Sequence, residues 1–206
     1  MATRRRLLVL TAAALVGLGP ALAWAGPATD QVKASVDRVI KIVQDPELKK
    51  PANTEKRRAQ LREVARSLFD FPAMAQSSLA RHWAQRTPEQ RKQFTELYAD
   101  LLENSYVSKI EAYGGEKIVY EPEKVDGDIV EVRSRVVSQR GTEIPIEYRL
   151  RKDGGRWEVF DVKIEGVSLV QNYRSQFNHI ITRSSYDELV KKMQAKQLEV
   201  GATRAP

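Results

Sequence analysis

From Thr29 to Asp45 the apolar residues Val32, Val36, Val39, Ile40 and Val43 recur at the spacing of one helical face, and Asp45-Pro46 ends the run. Lys49 to Asn53 reads as a polar linker. A second helix is predicted from about Thr54, with Leu61, Val64, Ala65 and Leu68 inward and Lys56, Arg57, Arg58, Arg62 and Arg66 over much of the rest. Asp70-Phe71-Pro72 has the form of a cap and first turn, opening a short helix that carries Met74 and Ala75 towards Leu79 and Trp83. Thr87-Pro88-Glu89-Gln90 combines an N-cap threonine, a proline at the first helical position and a glutamine at the reciprocal capping position. Phe94, Leu97, Tyr98, Leu101, Leu102, Tyr106 and Ile110 then form a broad face until Gly114-Gly115 ends the helix.

Beyond those glycines the period becomes two. Four strands of an antiparallel meander are expected: Lys117 to Glu121, Ile129 to Gln139, Ile144 to Arg151, and Arg156 to Ile164. Val130, Val132 and Val136 alternate with Glu131, Arg133 and Arg135, and Ile144, Ile146, Tyr148 and Leu150 with Glu147, Arg149 and Arg151. Asp153-Gly154-Gly155 is a hairpin signal, and Pro145 calls for a bulge or an edge. The last strand breaks the pattern. Strict alternation would send Trp157 and Val159 to one face and Phe160, Val162 and Ile164 to the other, so both faces would need cover. Two helices close the chain, one with Leu169, Tyr173, Phe177, Ile180 and Ile181 inward, and one opened by a capping box at Ser185 to Glu188 with Leu189, Val190 and Met193 inward. Val200 to Pro206 reads as a frayed tail.

The first residues stand apart. Arg4, Arg5 and Arg6, the apolar run Leu7 to Leu18 and Ala23-Trp24-Ala25 have the layout of a secretory signal cleaved after Ala25. The run is shorter than the roughly 20 residues of a spanning helix, and Gly19-Pro20 interrupts its end. Its removal lowers the basic total from 34 to 31 against 27 acids, a net charge of about +4. The expected product is an exported chain, residues 26–206, folding as a single domain: mainly helical over 26–113, sheet over 114–166, helical over 167–199. It has no cysteine, so a buried core rather than disulfides must hold it together.

Candidate chemistry is sparse. His82 and His179 lack the paired spacing of a zinc site, so no metal is expected, and there is neither a Gly-x-Ser-x-Gly elbow nor a phosphate loop. Asp161 draws attention because alternation places it beside Trp157 and Val159, where desolvation would raise its pKa and suit it to acid or base work. The structural reading, a salt bridge or backbone hydrogen bond at the sheet rim, is preferred, since basic residues crowd the neighbouring strands and no second catalytic group is suggested. Nucleic-acid binding is not expected: the cations between Lys49 and Arg66 are interleaved with acids on a helix whose other face is core. They could steer the chain towards phosphates of a membrane or an acidic partner. Periodicity leaves open whether the apolar faces enclose a packed core or a pocket.

The block Trp157-Glu158-Val159-Phe160-Asp161-Val162, followed by Ile164 to Val170 and by Asn172-Tyr173-Arg174-Ser175-Gln176-Phe177, resembles the MlaC (toluene-tolerance) family of phospholipid-binding proteins. Asp70-Phe71, Met74-Ala75, Trp83, Thr87 to Arg91 and Phe94 agree in order, so the likeness covers nearly all of the chain after residue 25. The resemblance implies an α+β fold, partly NTF2-like, in which a twisted antiparallel sheet and helices enclose a deep apolar cavity. It also implies a monomeric periplasmic carrier, without cofactor, that shuttles diacyl glycerophospholipids between an outer-membrane lipoprotein–porin complex and an inner-membrane ABC transporter with an MCE-domain protein. On this reading Leu101, Tyr106, Ile110, Val132, Ile146, Tyr148, Val159, Val162, Leu169, Tyr173 and Phe177 line or border the cavity, acyl chains cover the second apolar face of the last strand, and Arg174 meets a lipid phosphate or partner, or else pairs with Glu165 or Asp161. Three alternatives stay open: a hopanoid or sterol-like cargo, as in a related family; an NTF2-like enzyme with Asp161 as base; and an adaptor with a closed core.

Overall fold

The structure, a computed structural model, describes residues 26–198; the expected signal segment and the tail from Val200 lie outside them. Helix α1 (Pro27–Gln44) starts with proline in its first turn. A 3₁₀ turn at Pro51–Asn53 leads into α2 (Thr54–Leu68). At α3 (Phe71–Leu79) the Asp70 carboxylate accepts the Ala73 N–H at 2.8 Å, the expected cap. Before α4 (Pro88–Glu111) the Thr87 hydroxyl accepts the Gln90 N–H at 3.2 Å while the Gln90 side chain accepts the Thr87 N–H at 3.1 Å, a complete capping box. The last helices are α5 (Leu169–Arg183) and α6 (Tyr186–Gln194), where the Ser185 hydroxyl accepts the Glu188 N–H at 3.1 Å.

The sheet is antiparallel, as expected, but has six strands rather than four. Its members are β1 (Lys117–Tyr120), β2 (Lys124–Asp126), β3 (Ile129–Val137), β4 (Glu143–Asp153), β5 (Arg156–Ile164) and β6 (Val167–Ser168). Strands β1 and β2 pair with opposite halves of β3, so they form one edge that Pro122 interrupts. The two additional strands are three and two residues long, too short for alternation to register. Gly154 and Gly155 turn β4 into β5 with φ of 52° and 89°, the left-handed backbone this two-residue hairpin requires. Pro145 needs no bulge. Its carbonyl accepts from Glu165 N–H at 3.0 Å where β5 has just ended, so its own missing donor also faces past the end of β5 and the β3 ladder loses nothing.

The bulge lies in β5 instead. Arg149 pairs with Asp161 and Leu150 with Val159, which leaves Phe160 as an extra residue. Val159 therefore stands opposite Leu150, and Val162 opposite Tyr148; since Leu150 and Tyr148 share a face, so do Val159 and Val162. The expectation that β5 is apolar on both faces is thus corrected. Trp157, Val159, Val162 and Ile164 turn inward together, while Phe160 lies outward beneath the guanidinium groups of Arg149 and Arg151, 5.1 and 5.8 Å from its ring centre. Most of the rest of the outer face is charged, with Arg135–Glu143 and Lys163–Glu147 both paired at 2.9 Å, while Val119, Ile129 and Val137 also face that way. Acyl chains are not needed there.

On the inner face the main core draws on every helix and on β3, β4 and β5. Its centre is an aromatic cluster: Phe94 meets Phe177 edge-on at 5.6 Å and Tyr98 meets Tyr173 edge-on at 5.6 Å. A smaller cluster of Val43, Leu61 and Val107, with Val39, Ile42 and Tyr113 beside it, joins the far ends of α1 and α4 to α2. Arg57 and Arg58 of α2 both reach Glu111 of α4, at 2.7 and 3.4 Å, and Arg62 reaches Glu103 at 2.7 Å. Three of the five α2 cations expected to form a solvated face are therefore fastening α2 to α4.

Candidate functional site

Strand register arranges the inner face in four rows. Val130, Leu150 and Val159 form one; Val132, Tyr148 and Val162 the next; Tyr120, Ser134, Ile146 and Ile164 the third; Ile118, Val136 and Ile144 the last. Val125 of the short edge strand β2, opposite Val130, is 66% exposed; along β4 and β5 exposure rises across the rows. Leu150 and Val159 are at 0%, Tyr148, Ile146 and Ile164 are half-buried, and Ile144 reaches 39%. The long helix shows the same gradient, from Phe94 at 0% through Leu101 at 5% and half-buried Tyr106 to Ile110 at 38%. Val107, one residue past Tyr106, joins the far-end cluster with Val43 and Leu61. The chain thus packs one end of its interior tightly and leaves apolar surface incompletely covered towards the other.

The candidate residues divide along this gradient. Leu101, Val132, Val159, Val162, Leu169, Tyr173 and Phe177 are buried in the main core. Tyr106, Ile146 and Tyr148 are half-buried beside it, and Ile110 is exposed. Tyr120, Ser134 and Ile164 belong to the same wall but went unnamed by sequence reasoning; cross-strand register, which no single strand reveals, is the signal that would have found Tyr120 and Ser134. Arg174 is exposed and donates from Nε to the Ser77 carbonyl at 2.9 Å, bracing α5 on α3 rather than pairing with Glu165 or Asp161.

The wall carries tyrosine hydroxyls whose ionisation burial opposes. Tyr148 is pushed up to about 12 by burial, with the Ser134 hydroxyl acting the other way. Burial raises Tyr120 and Tyr106 as well, aided by neighbouring Tyr148 and Asp37 in the first case and Tyr173 in the second. All three stay neutral donors at physiological pH. Ser134 is the one non-aromatic polar residue in these rows, and its hydroxyl donates to the Ile146 carbonyl at 3.5 Å, the limit of such a bond.

Asp161 sits under the start of α5. Its carboxylate accepts the Ser168 hydroxyl at 2.7 Å and the Val170 N–H at 3.2 Å, satisfying an orphan donor of the helix's first turn. The backbone hydrogen bond anticipated for it is present, but the side chain is buried, at 5% exposure, rather than at the sheet rim. His82 Nε2 lies 3.0 Å from Asn178 Oδ1, one residue before His179. Among the described residues no group of three or more His, Cys, Asp or Glu side chains converges as for a metal. A shallow depression of about 420 Å³ on α5, lined by Ser175, Gln176, His179 and Ile180, is separate from the tyrosine wall.

Comparison with known proteins gives this arrangement a context. A solved phospholipid-binding protein from Ralstonia solanacearum, in complex with a phospholipid, superposes with a TM-score of 0.73 at 29% identity, covering 82% of this chain and 96% of that one. The intermembrane phospholipid transport system binding protein MlaC of Haemophilus influenzae is 28% identical over 56% of this chain, and toluene tolerance protein Ttg2D of Pseudomonas putida is 26% identical over 62%. The aligned stretches span 56% and 60% of those two relatives. The MlaC protein family model matches residues 33–195, from α1 to the end of α6. The chain belongs to the MlaC family.

Proposed function

We propose that this protein is a periplasmic phospholipid carrier that holds a diacyl glycerophospholipid by its chains and moves it between the inner and outer membranes, maintaining outer-membrane lipid asymmetry. The observation that carries the reading is the half-buried wall of Tyr148, Ile146 and Ile164, with Tyr106 on α4, in a chain whose fold matches that of a phospholipid-bound protein. Acyl chains entering between this wall and the ends of α1 and α4 would gain roughly 0.8 kcal/mol per methylene removed from water. The phosphate would stay at the exposed end, near Ile144 and Ile110, and avoid the cost of burying an unpaired charge.

Transport on this account is binding and release without covalent change. Residues 1–25 act as the export signal, residues 26–206 fold as one domain, and the monomer exchanges lipid with an MCE-domain ABC transporter and an outer-membrane lipoprotein–porin complex. Release needs the helical cover to move, since a carrier must hold lipid differently in its loading and unloading states; Gly114-Gly115 and Ser184-Ser185 are the proposed hinges. Asp161, engaged with Ser168 and Val170, is better explained as a support for α5 than as a base.

The test is transfer of labelled phosphatidylglycerol from donor to acceptor vesicles. The protein from residue 26 onward accelerates transfer, and Ile146→Arg, which sets a charge on the wall, abolishes the acceleration while the fold persists by circular dichroism. Equal transfer with and without protein would refute the reading.

A further inference from the structure

The Tyr120 hydroxyl oxygen is buried and has no hydrogen-bond partner among the described residues. Leaving a buried donor unmatched is costly, and native folds do so rarely. Tyr148 and Asp37 are close enough to act on it electrostatically, yet neither bonds to it. Ser134, its cross-strand partner, points its own hydroxyl at the Ile146 carbonyl. The row of Tyr120, Ser134, Ile146 and Ile164 lies between the row of Val132, Tyr148 and Val162 and the exposed row ending at Ile144.

A molecule that enters chains first brings a defined chemistry to that depth. Its hydrocarbon runs inward past Tyr148 and Tyr106, which are half-buried, and its charge stays outside. What remains at the boundary is the linkage between chain and glycerol. In a diacyl lipid this is an ester, whose carbonyl is neutral and only accepts. A neutral tyrosine O–H is the matching donor.

Resting on the lipid-carrier reading, we propose that the Tyr120 hydroxyl donates to a fatty-acyl ester carbonyl of the bound lipid and so makes the carrier select ester-linked over ether-linked chains. Tyr98 also has a buried hydroxyl without a partner among the described residues, but its ring is fully buried between Phe94, Tyr173 and Phe177 in the packed cluster. Tyr120 is half-buried on β1, an edge strand of the sheet, one row in from the exposed row.

The test is competition in native mass spectrometry, loading the protein from vesicles of equimolar diacyl and dialkyl phosphatidylglycerol with identical chains. The wild type takes up the diacyl form in about fivefold excess, the value of one net hydrogen bond. Tyr120→Phe takes up both forms equally. Its melting temperature is unchanged or raised, because no bond within the protein is lost. Equal loading of the two lipids by the wild type, or a preference undiminished in Tyr120→Phe, would overturn the assignment while leaving the carrier intact. Loading of neither lipid would overturn the carrier reading itself.

Discussion

Phe160 shows how much of this protein's wall depends on one extra residue. As the bulged position in β5 it has no partner on β4, and its ring lies outward under Arg149 and Arg151. Without it, Val162 and Ile164 would face solvent and Asp161 would face the core, since a one-residue shift exchanges the two faces of a strand. The side chain itself should therefore matter less than the backbone it occupies. Phe160→Ala is expected to cost about 1 kcal/mol in urea denaturation, the size of a cation–π and surface-packing loss. Phe177→Ala, which empties a fully buried site, should cost about 3–5 kcal/mol. A loss above about 3 kcal/mol at Phe160 would place that ring in the core and contradict the bulge. Large apolar side chains at positions 157, 159, 160, 162 and 164 could not disclose this, because alternation assumes an unbroken register. Partner residues across the sheet are what locate the shift.

Helices were the most legible elements, since their apolar residues keep a period and some add a start signal: the capping box at Thr87 and the Asp70 cap appear as read. The long strands β3 and β4 were equally plain, with apolar and charged residues exchanging faces over most of their length. Short β2 and β6 gave no pattern, and the charge on α2 was visible without its purpose. Glu111 supplies that purpose. Burial alone would raise its carboxyl, but hydrogen bonds and charge from Arg57 and Arg58 outweigh burial and hold it below the ordinary glutamate value. A lowered folded-state pKa contributes stability above the unfolded value, about 4.3, and loses it as pH falls through the folded value. Glu111→Gln should thus cost about 1–2 kcal/mol at neutral pH, with the gap between variant and wild type closing as pH drops below about 4. A gap that stays constant into acid would mean the clamp between α2 and α4 does not depend on charge.

The molecule as a whole is a sheet with one wet and one covered face, under helices that pack tightly at one end and less so at the other. The aromatic cluster of α4 and α5 supplies rigidity, and the ion pairs of α2 hold the far end of α4 against α1 and α2. Such a division suits a protein that keeps its fold while part of its cover moves, because the less densely packed end can yield while the aromatic cluster stays closed. Candidate lining residues from the core, Tyr173 and Phe177 among them, were legible as apolar positions. Which apolar positions stay partly uncovered depends on how α1, α2 and α4 meet the sheet, and no local pattern encodes that.

The decisive measurement is native mass spectrometry with lipid extraction on the protein purified without detergent from a periplasmic fraction. The account predicts a stoichiometric diacyl phospholipid, released when the protein is unfolded. A protein that carries no lipid and takes none up from phospholipid vesicles would show that the apolar faces close on each other, and would contradict the carrier; a hopanoid in place of phospholipid would contradict the assigned cargo.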